Sequence, residues 1–110
     1  MNSGLPTIED ISLDELKRGL ADGSILLVDV REPNEWNAGH IPGATLHPMS
    51  MFDPAELPRE NGKRVVLQCR SGNRSAKALA IARANGREDV RAHFGGGMLE
   101  WAAAGEPIEA

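Results

Sequence analysis

A short unbroken apolar run leads straight into the only cysteine of the chain, and that junction limits the folds open to it. Residues 64–86 read Arg64-Val-Val-Leu-Gln-Cys69-Arg-Ser-Gly-Asn-Arg-Ser75, then Ala-Lys-Ala-Leu-Ala-Ile-Ala-Arg-Ala-Asn-Gly86. Val65, Val66 and Leu67 do not alternate with polar residues, which suits a strand covered on both faces, as in a parallel sheet. Residues 76–84 are rich in alanine, with Leu79 and Ile81 among the apolar positions, and read as a helix. Asn85 and Gly86 stop it, glycine taking the left-handed position. Between strand and helix lies a polar loop that starts at Cys69.

A loop that turns from a strand into a helix collects backbone N–H groups at the positive end of the helix dipole. A thiol set there loses its proton more readily than an ordinary cysteine, which titrates near ~8.5. Each unit of lowering is worth ~1.4 kcal/mol in favour of the thiolate. A lone cysteine more often serves as a small apolar core residue. Here Arg70, Gly72 and Arg74 argue otherwise, because two arginines beside a core cysteine are costly without a negative charge to face. Cys69 is therefore the candidate nucleophile. Arg70, Ser71, Gly72, Asn73, Arg74 and Ser75 form its candidate substrate seat.

The loop Cys69-Arg-Ser-Gly-Asn-Arg-Ser75 resembles the active-site loop of a single-domain rhodanese, a thiosulfate sulfurtransferase. Val28-Asp-Val-Arg-Glu-Pro-Asn-Glu-Trp36 with Gly39-His-Ile-Pro-Gly-Ala44 is similar to that family's upstream block. Gly95-Gly-Gly-Met-Leu-Glu-Trp101 with Gly105-Glu-Pro107 is similar to its C-terminal block. The three blocks stand in family order and span nearly the whole chain. The resemblance implies a small open parallel sheet of about five strands with helices on both faces. It also implies transfer of a sulfane sulfur from thiosulfate or a similar donor to cyanide or a thiol, through a Cys69 persulfide. It gives Asp29 and Arg31, where the strand over 25–30 leaves the sheet, a structural place near the site; an ion pair or turn cap is the plainer reading.

The chain has 110 residues, which suits one domain over 1–110 with one modest core, and residues 1–6 are expected to form a loose tail. Its net charge of −4 argues against nucleic acid as a partner. One cysteine excludes an internal disulfide and a Cys-x-x-Cys pair. A sulfur loaded on Cys69 must then leave to another molecule, with a thioredoxin-like or biosynthetic protein as one possible acceptor. No metal-ligand cluster or organic cofactor is implied. Residues 1–15 lack a signal-peptide core, and no stretch approaches the ~20 apolar residues that span a bilayer. The expectation is a cytoplasmic protein with no membrane partner.

Along the rest of the chain, a first strand is expected around Ile8. Ser12 and Glu15 fit a capping box opening a helix to about Asp22, with Leu13, Leu16 and Leu20 on one face and Gly23 as its stop. Residues 25–30 read as a central parallel strand. Glu32 to Glu35 opens a short helix, and Trp36 is expected in the core. His40 and His47 are expected to hold turns; a preformed thiolate needs no separate base. Residues 44–46 should form a short strand, which the resemblance places at the edge of the sheet. Pro48, Pro54 and Pro58 keep residues 48–62 irregular, with Met49, Met51, Phe52 and Leu57 covering the core. Residues 90–94 are the last strand, 95–97 a tight glycine turn, and 98–104 a helix anchored by Leu99 and Trp101.

Three other functions compete with this one. Phosphatases and arsenate reductases place five residues between cysteine and arginine, whereas four, Arg70 to Asn73, separate Cys69 from Arg74. The shorter loop makes a smaller cradle, better matched to a sulfur atom than to a tetrahedral oxyanion. A regulatory binding module needs no cysteine, yet Cys69 is present. A sulfur carrier serving a partner protein would keep the persulfide but use thiosulfate poorly.

Overall fold

The computed structural model describes residues 8–59 and 62–110, so the tail expected over 1–6 lies outside the described residues. The elements are β1 (Glu9–Asp10), α1 (Leu13–Asp22), β2 (Ile25–Asp29), α2 (Pro33–Ala38), β3 (Thr45–Leu46), β4 (Arg64–Gln68), α3 (Asn73–Ala84), β5 (Ala92–Phe94) and α4 (Gly97–Ala103). Two 3-10 turns, Met49–Met51 and Pro54–Glu56, occupy the irregular stretch between β3 and β4. The strands form one five-stranded sheet in the order β1-β5-β4-β2-β3. Every pairing is parallel. β3 is an edge strand, as the family resemblance implies.

Successive residues of the two central strands serve opposite layers. Leu27 and Val66 face Leu16 of α1 and Met98 and Trp101 of α4. Val28, Val65 and Leu67 face Ala78, Leu79 and Ala82 of α3. A sheet covered on both sides needs apolar residues at every position, which is why these strands lack alternation. Each fully buried leucine or valine side chain contributes about 1.5–3 kcal/mol. A few of them match the net stability of a small domain, about 5–15 kcal/mol.

At α1 half of the expected capping box forms. The Ser12 hydroxyl accepts the Glu15 N–H at 3.1 Å, whereas the Glu15 carboxylate pairs with Arg64, and Gly23 closes the helix at φ 78. α3 starts earlier than its alanine run, at Asn73, because Gly72 adopts φ 95 and turns the chain directly into the helix. Arg74 and Ser75 therefore stand in its first turn. Several apolar positions differ from expectation. Trp36 is only half-buried and stacks on the His40 ring, with centroids 3.7 Å apart. Met51 is 75% exposed, because Met49 and Phe52, three residues apart, turn inward instead. Leu99 is 47% exposed, since Met98 and Trp101 are the residues of α4 that share the inner face.

Arg87 is a fixture the sequence did not announce. Its side chain is 2% exposed. Its Nη1 donates to the Leu57 carbonyl at 2.9 Å and also to that of Pro54. Its Nη2 donates to the Pro58 carbonyl at 3.0 Å, and Asp89 balances its charge. One guanidinium thus ties together three carbonyls of a proline-rich segment whose own backbone bonds are confined to short turns. Arg87→Lys puts all donors on one nitrogen that cannot span them. It is expected to lower stability by about 2 kcal/mol in urea unfolding, with an unchanged m-value.

Candidate active site

β4 ends at Gln68, so Cys69 emerges at the carboxyl edge of the sheet, between its neighbours β2 and β5. Open α/β sheets collect ligands at that edge. The four residues from Cys69 to Gly72 curl back before α3 begins. Their curl, together with the first turn of α3, aims backbone N–H groups at the sulfur. Gly72 donates to Cys69 Sγ at 3.2 Å and Ser75 at 3.3 Å. The Ser75 hydroxyl lies 3.7 Å from the same atom. Burial opposes ionisation of this thiol, which is 1% exposed. The N–H and hydroxyl of Ser75 and the N–H groups of Gly72 and Ser71 outweigh that cost and hold its pKa below the ordinary value.

The loop is clamped from the other side by the turn between β5 and α4. Met98 N–H donates to the Cys69 carbonyl at 2.9 Å and Leu99 N–H to that of Arg70 at 3.1 Å. Only glycine permits this approach. A Cβ on Gly97, at φ +59, would lie 2.4 Å from the Cys69 carbonyl oxygen. One on Gly72 would lie 2.5 Å from the Gly95 carbonyl oxygen.

The two arginines of the loop have different surroundings. Arg70 is exposed, as are Ser71 and Asn73, and its side chain has no hydrogen bond or ion pair among the described residues. Arg74 is held by Glu35 of α2, with Nη1 at 2.6 Å and Nη2 at 2.9 Å from the two carboxylate oxygens. The Arg74 guanidinium pulls the Glu35 pKa down from 4.5 to about 2. Asp29 and Arg31 form a buried pair at 2.8 Å on the strand beside β4. Arg31 also donates to the Gly39 carbonyl at 2.8 Å, fixing the turn after α2. His40 accepts its place from backbone contacts, its Nδ1 lying 3.0 Å from the Trp36 carbonyl oxygen. His47 Nε2 accepts the Asp53 N–H at 3.1 Å. Neither ring reaches the sulfur through these contacts.

Sequence reasoning did not single out His93 for the site, nor Glu35 as a partner of its loop. His93 lies in β5, and its Nδ1 is 2.9 Å from Ser75 Oγ. The available signal was its position, just before Phe94-Gly95-Gly96 at the carboxyl end of the last strand. No group of three or more His, Cys, Asp or Glu side chains among the described residues could hold a metal ion.

A rhodanese-like domain model matches residues 12–104. The chain belongs to the rhodanese-like domain family. It is 38% identical over 106 residues to a sulfurtransferase from Allochromatium vinosum, covering 94% of this chain and 96% of that one. It is 40% identical over 98 residues to the Mycobacterium tuberculosis protein described as a probable adenylyltransferase/sulfurtransferase, MoeZ, covering 84% of this chain. It spans only 24% of that relative, and 54% of a Synechocystis protein to which it is 42% identical. The structure of the human single-domain sulfurtransferase TSTD1 superposes with a TM-score of 0.71 at 33% identity, over 86% of this chain and 95% of that one. The rhodanese fold, with its parallel sheet between helical layers, is thus common to sequence and structure.

Glu35 is depressed below its unfolded value, so its pairing with Arg74 contributes stability above pH 4.5 and loses it as pH falls toward 2. Both side chains keep some solvent contact, which limits the contribution to about 1 kcal/mol. Glu35→Gln is expected to lower stability by that amount at pH 7. Denaturant titrations should find the gap between variant and parent closing across that acid range.

Proposed function

We propose that this rhodanese-family chain is a sulfurtransferase that moves a sulfane sulfur from thiosulfate or a similar donor to a thiophilic acceptor through a persulfide on Cys69. The observation that carries this reading is the ring of N–H donors on a buried sulfur, Gly72 and Ser75 at 3.2 and 3.3 Å. Sulfurtransferases among the relatives that match this chain over nearly their whole length support the same chemistry.

The reaction has two displacements. The Cys69 thiolate attacks the outer sulfur of thiosulfate. A new S–S bond forms as the donor's S–S bond breaks, and sulfite departs with the bonding pair. The added sulfur extends about 2 Å beyond Sγ, toward the mouth of the loop. An acceptor then attacks this terminal sulfur and the Cys69 thiolate leaves. Cyanide gives thiocyanate, and a thiolate gives a new persulfide on the acceptor. Arg70, exposed and unpaired among the described residues, draws the anionic donor and faces charge on departing sulfite. Arg74, neutralised by Glu35, keeps the first turn of α3 in register with α2 and adds less field. Ser71 and Asn73 line the rim. Asp29 and Arg31 brace the neighbouring strand end.

A protein acceptor of thioredoxin-like or biosynthetic kind fits the exposed loop as well as a small thiol does. A cytoplasmic location suits a chemistry that needs a reduced thiol. No helix among the described residues is long and apolar enough to cross a membrane.

Incubation with thiosulfate is expected to raise the intact mass by one sulfur atom. Cyanide should remove the gain, and Cys69→Ser should never acquire it. An accessible thiol that gains no sulfur from thiosulfate would overturn the thiosulfate assignment. Arg70→Ala is expected to raise KM for thiosulfate about tenfold, the equivalent of ~1.4 kcal/mol, with the effect shrinking in high salt.

A further inference from the structure

The Cys69 thiol has almost no contact with water, which leaves open where its proton goes. Cys69 is 1% exposed, so a neighbouring side chain is the nearer destination for its proton. Its hydrogen-bond acceptor is Ser75 Oγ at 3.7 Å. Ser75 is itself fully buried. Its hydroxyl has two other neighbours, the Gly72 carbonyl oxygen at 3.2 Å and His93 Nδ1 at 2.9 Å. A hydroxyl carries one proton and two lone pairs. With Nδ1 bare, Ser75 donates to the ring and can accept from the thiol. With Nδ1 protonated, the ring donates to Ser75 and frees the hydroxyl proton for the sulfur.

We infer that His93 is the proton acceptor for Cys69, acting through Ser75. The Sγ–H proton passes to Ser75 Oγ while the Ser75 proton passes to His93 Nδ1. The products are a thiolate, an intact serine and an imidazolium, with no change in oxidation state. In that state the serine hydroxyl points back at the sulfur and adds a donor to the backbone ring. The inference deepens the reading of Cys69 as the sulfur-carrying nucleophile and rests on it. His93 touches no substrate and is a positioning residue.

The fold makes the arrangement specific. His93 and Leu67 are paired in register on β5 and β4, so the ring emerges beside the strand that delivers Cys69. α3 lies over the same face of the sheet and supplies Ser75 from its first turn. The other groups on this side are Asp10 of β1, in register with His93, and, on α3, Arg83 two turns beyond Ser75. The Asp10 carboxylate accepts the Gly95 N–H at 2.7 Å. Arg74 turns to Glu35, and Lys77 is exposed. Among the described contacts of Ser75, the His93 imidazole is the side chain that presents a basic ring nitrogen.

The test reads the bare thiol, before any sulfur donor is present. The rate of Cys69 alkylation by iodoacetamide is followed against pH in the parent, His93→Gln, Ser75→Ala and the double variant. Glutamine keeps a hydrogen-bonding side chain but cannot become a cation. His93→Gln is expected to move the midpoint up by roughly one unit, about a tenfold slower alkylation on its acid side. In the Ser75→Ala background the same change should have no further effect, because the path to the ring is already cut. An unmoved midpoint in His93→Gln, or an equal shift with and without Ser75, would overturn the relay. Thermal melts identify a misfolded variant, for which His93→Asn substitutes. Persulfide loading from thiosulfate is measured separately. A parent that loads no sulfur would refute the sulfurtransferase reading, whereas the midpoints decide the relay.

Discussion

An anionic sulfur inside a protein needs donors fixed in place, because water is not there to rearrange around it. Removing a charge from water costs several kcal/mol after relaxation. In this chain the counterweight is backbone. The N–H groups of Gly72 and Ser75 are aimed at Cys69 Sγ by the loop and by the helix that follows it. Peptide dipoles of this kind do not titrate and do not need a counter-ion, so the cradle works for a thiolate and for a persulfide alike. Most of the surrounding structure serves to hold that curl. β4 delivers the cysteine from between two neighbours, Gly72 permits the turn into α3, and Gly97 lets α4 press its first N–H groups onto the loop carbonyls.

Charges around the site divide into braces and an open one. Asp29 with Arg31, and Glu35 with Arg74, are satisfied within the protein. Such pairs gain little net energy but position the elements that carry them. Arg70 alone among these is exposed without a partner among the described residues, and it sits next to Cys69. An exposed arginine at the mouth attracts an anion without trapping it. That suits the proposed reaction, whose leaving group, sulfite, is itself anionic.

Much of this was legible in the residues. The apolar runs at 25–30 and 65–67 carried the parallel sheet, because a strand covered on both faces has no polar positions to display. The loop from Cys69 to Ser75 carried the site, because a glycine and two arginines beside one cysteine have few other uses. Ser12, Glu15 and Gly23 bounded α1 through local hydrogen bonds and backbone preference, which do not depend on the rest of the fold. What stayed hidden depends on contacts between distant segments. Trp36 looked like core and stacks on His40 instead. Arg87 carried no sequence signal and is buried under three carbonyls of the proline-rich stretch. His93 joins Ser75 only because β5 lies beside β4 and α3 covers both. No pattern in one segment encodes an adjacency made by sheet order.

The tie between the loop and α4 bears on motion. The N–H groups of Met98 and Leu99, which hold the carbonyls of Cys69 and Arg70, belong to a helix whose Trp101 is packed in the core and donates to the Pro107 carbonyl at 2.7 Å. The loop has no hinge of its own to swing on. The Met98 and Leu99 amides, bonded to the loop carbonyls, are expected to exchange with solvent only when the loop and α4 part. The conformational entropy of ordering the sulfur's cradle is therefore spent during folding, before any donor arrives.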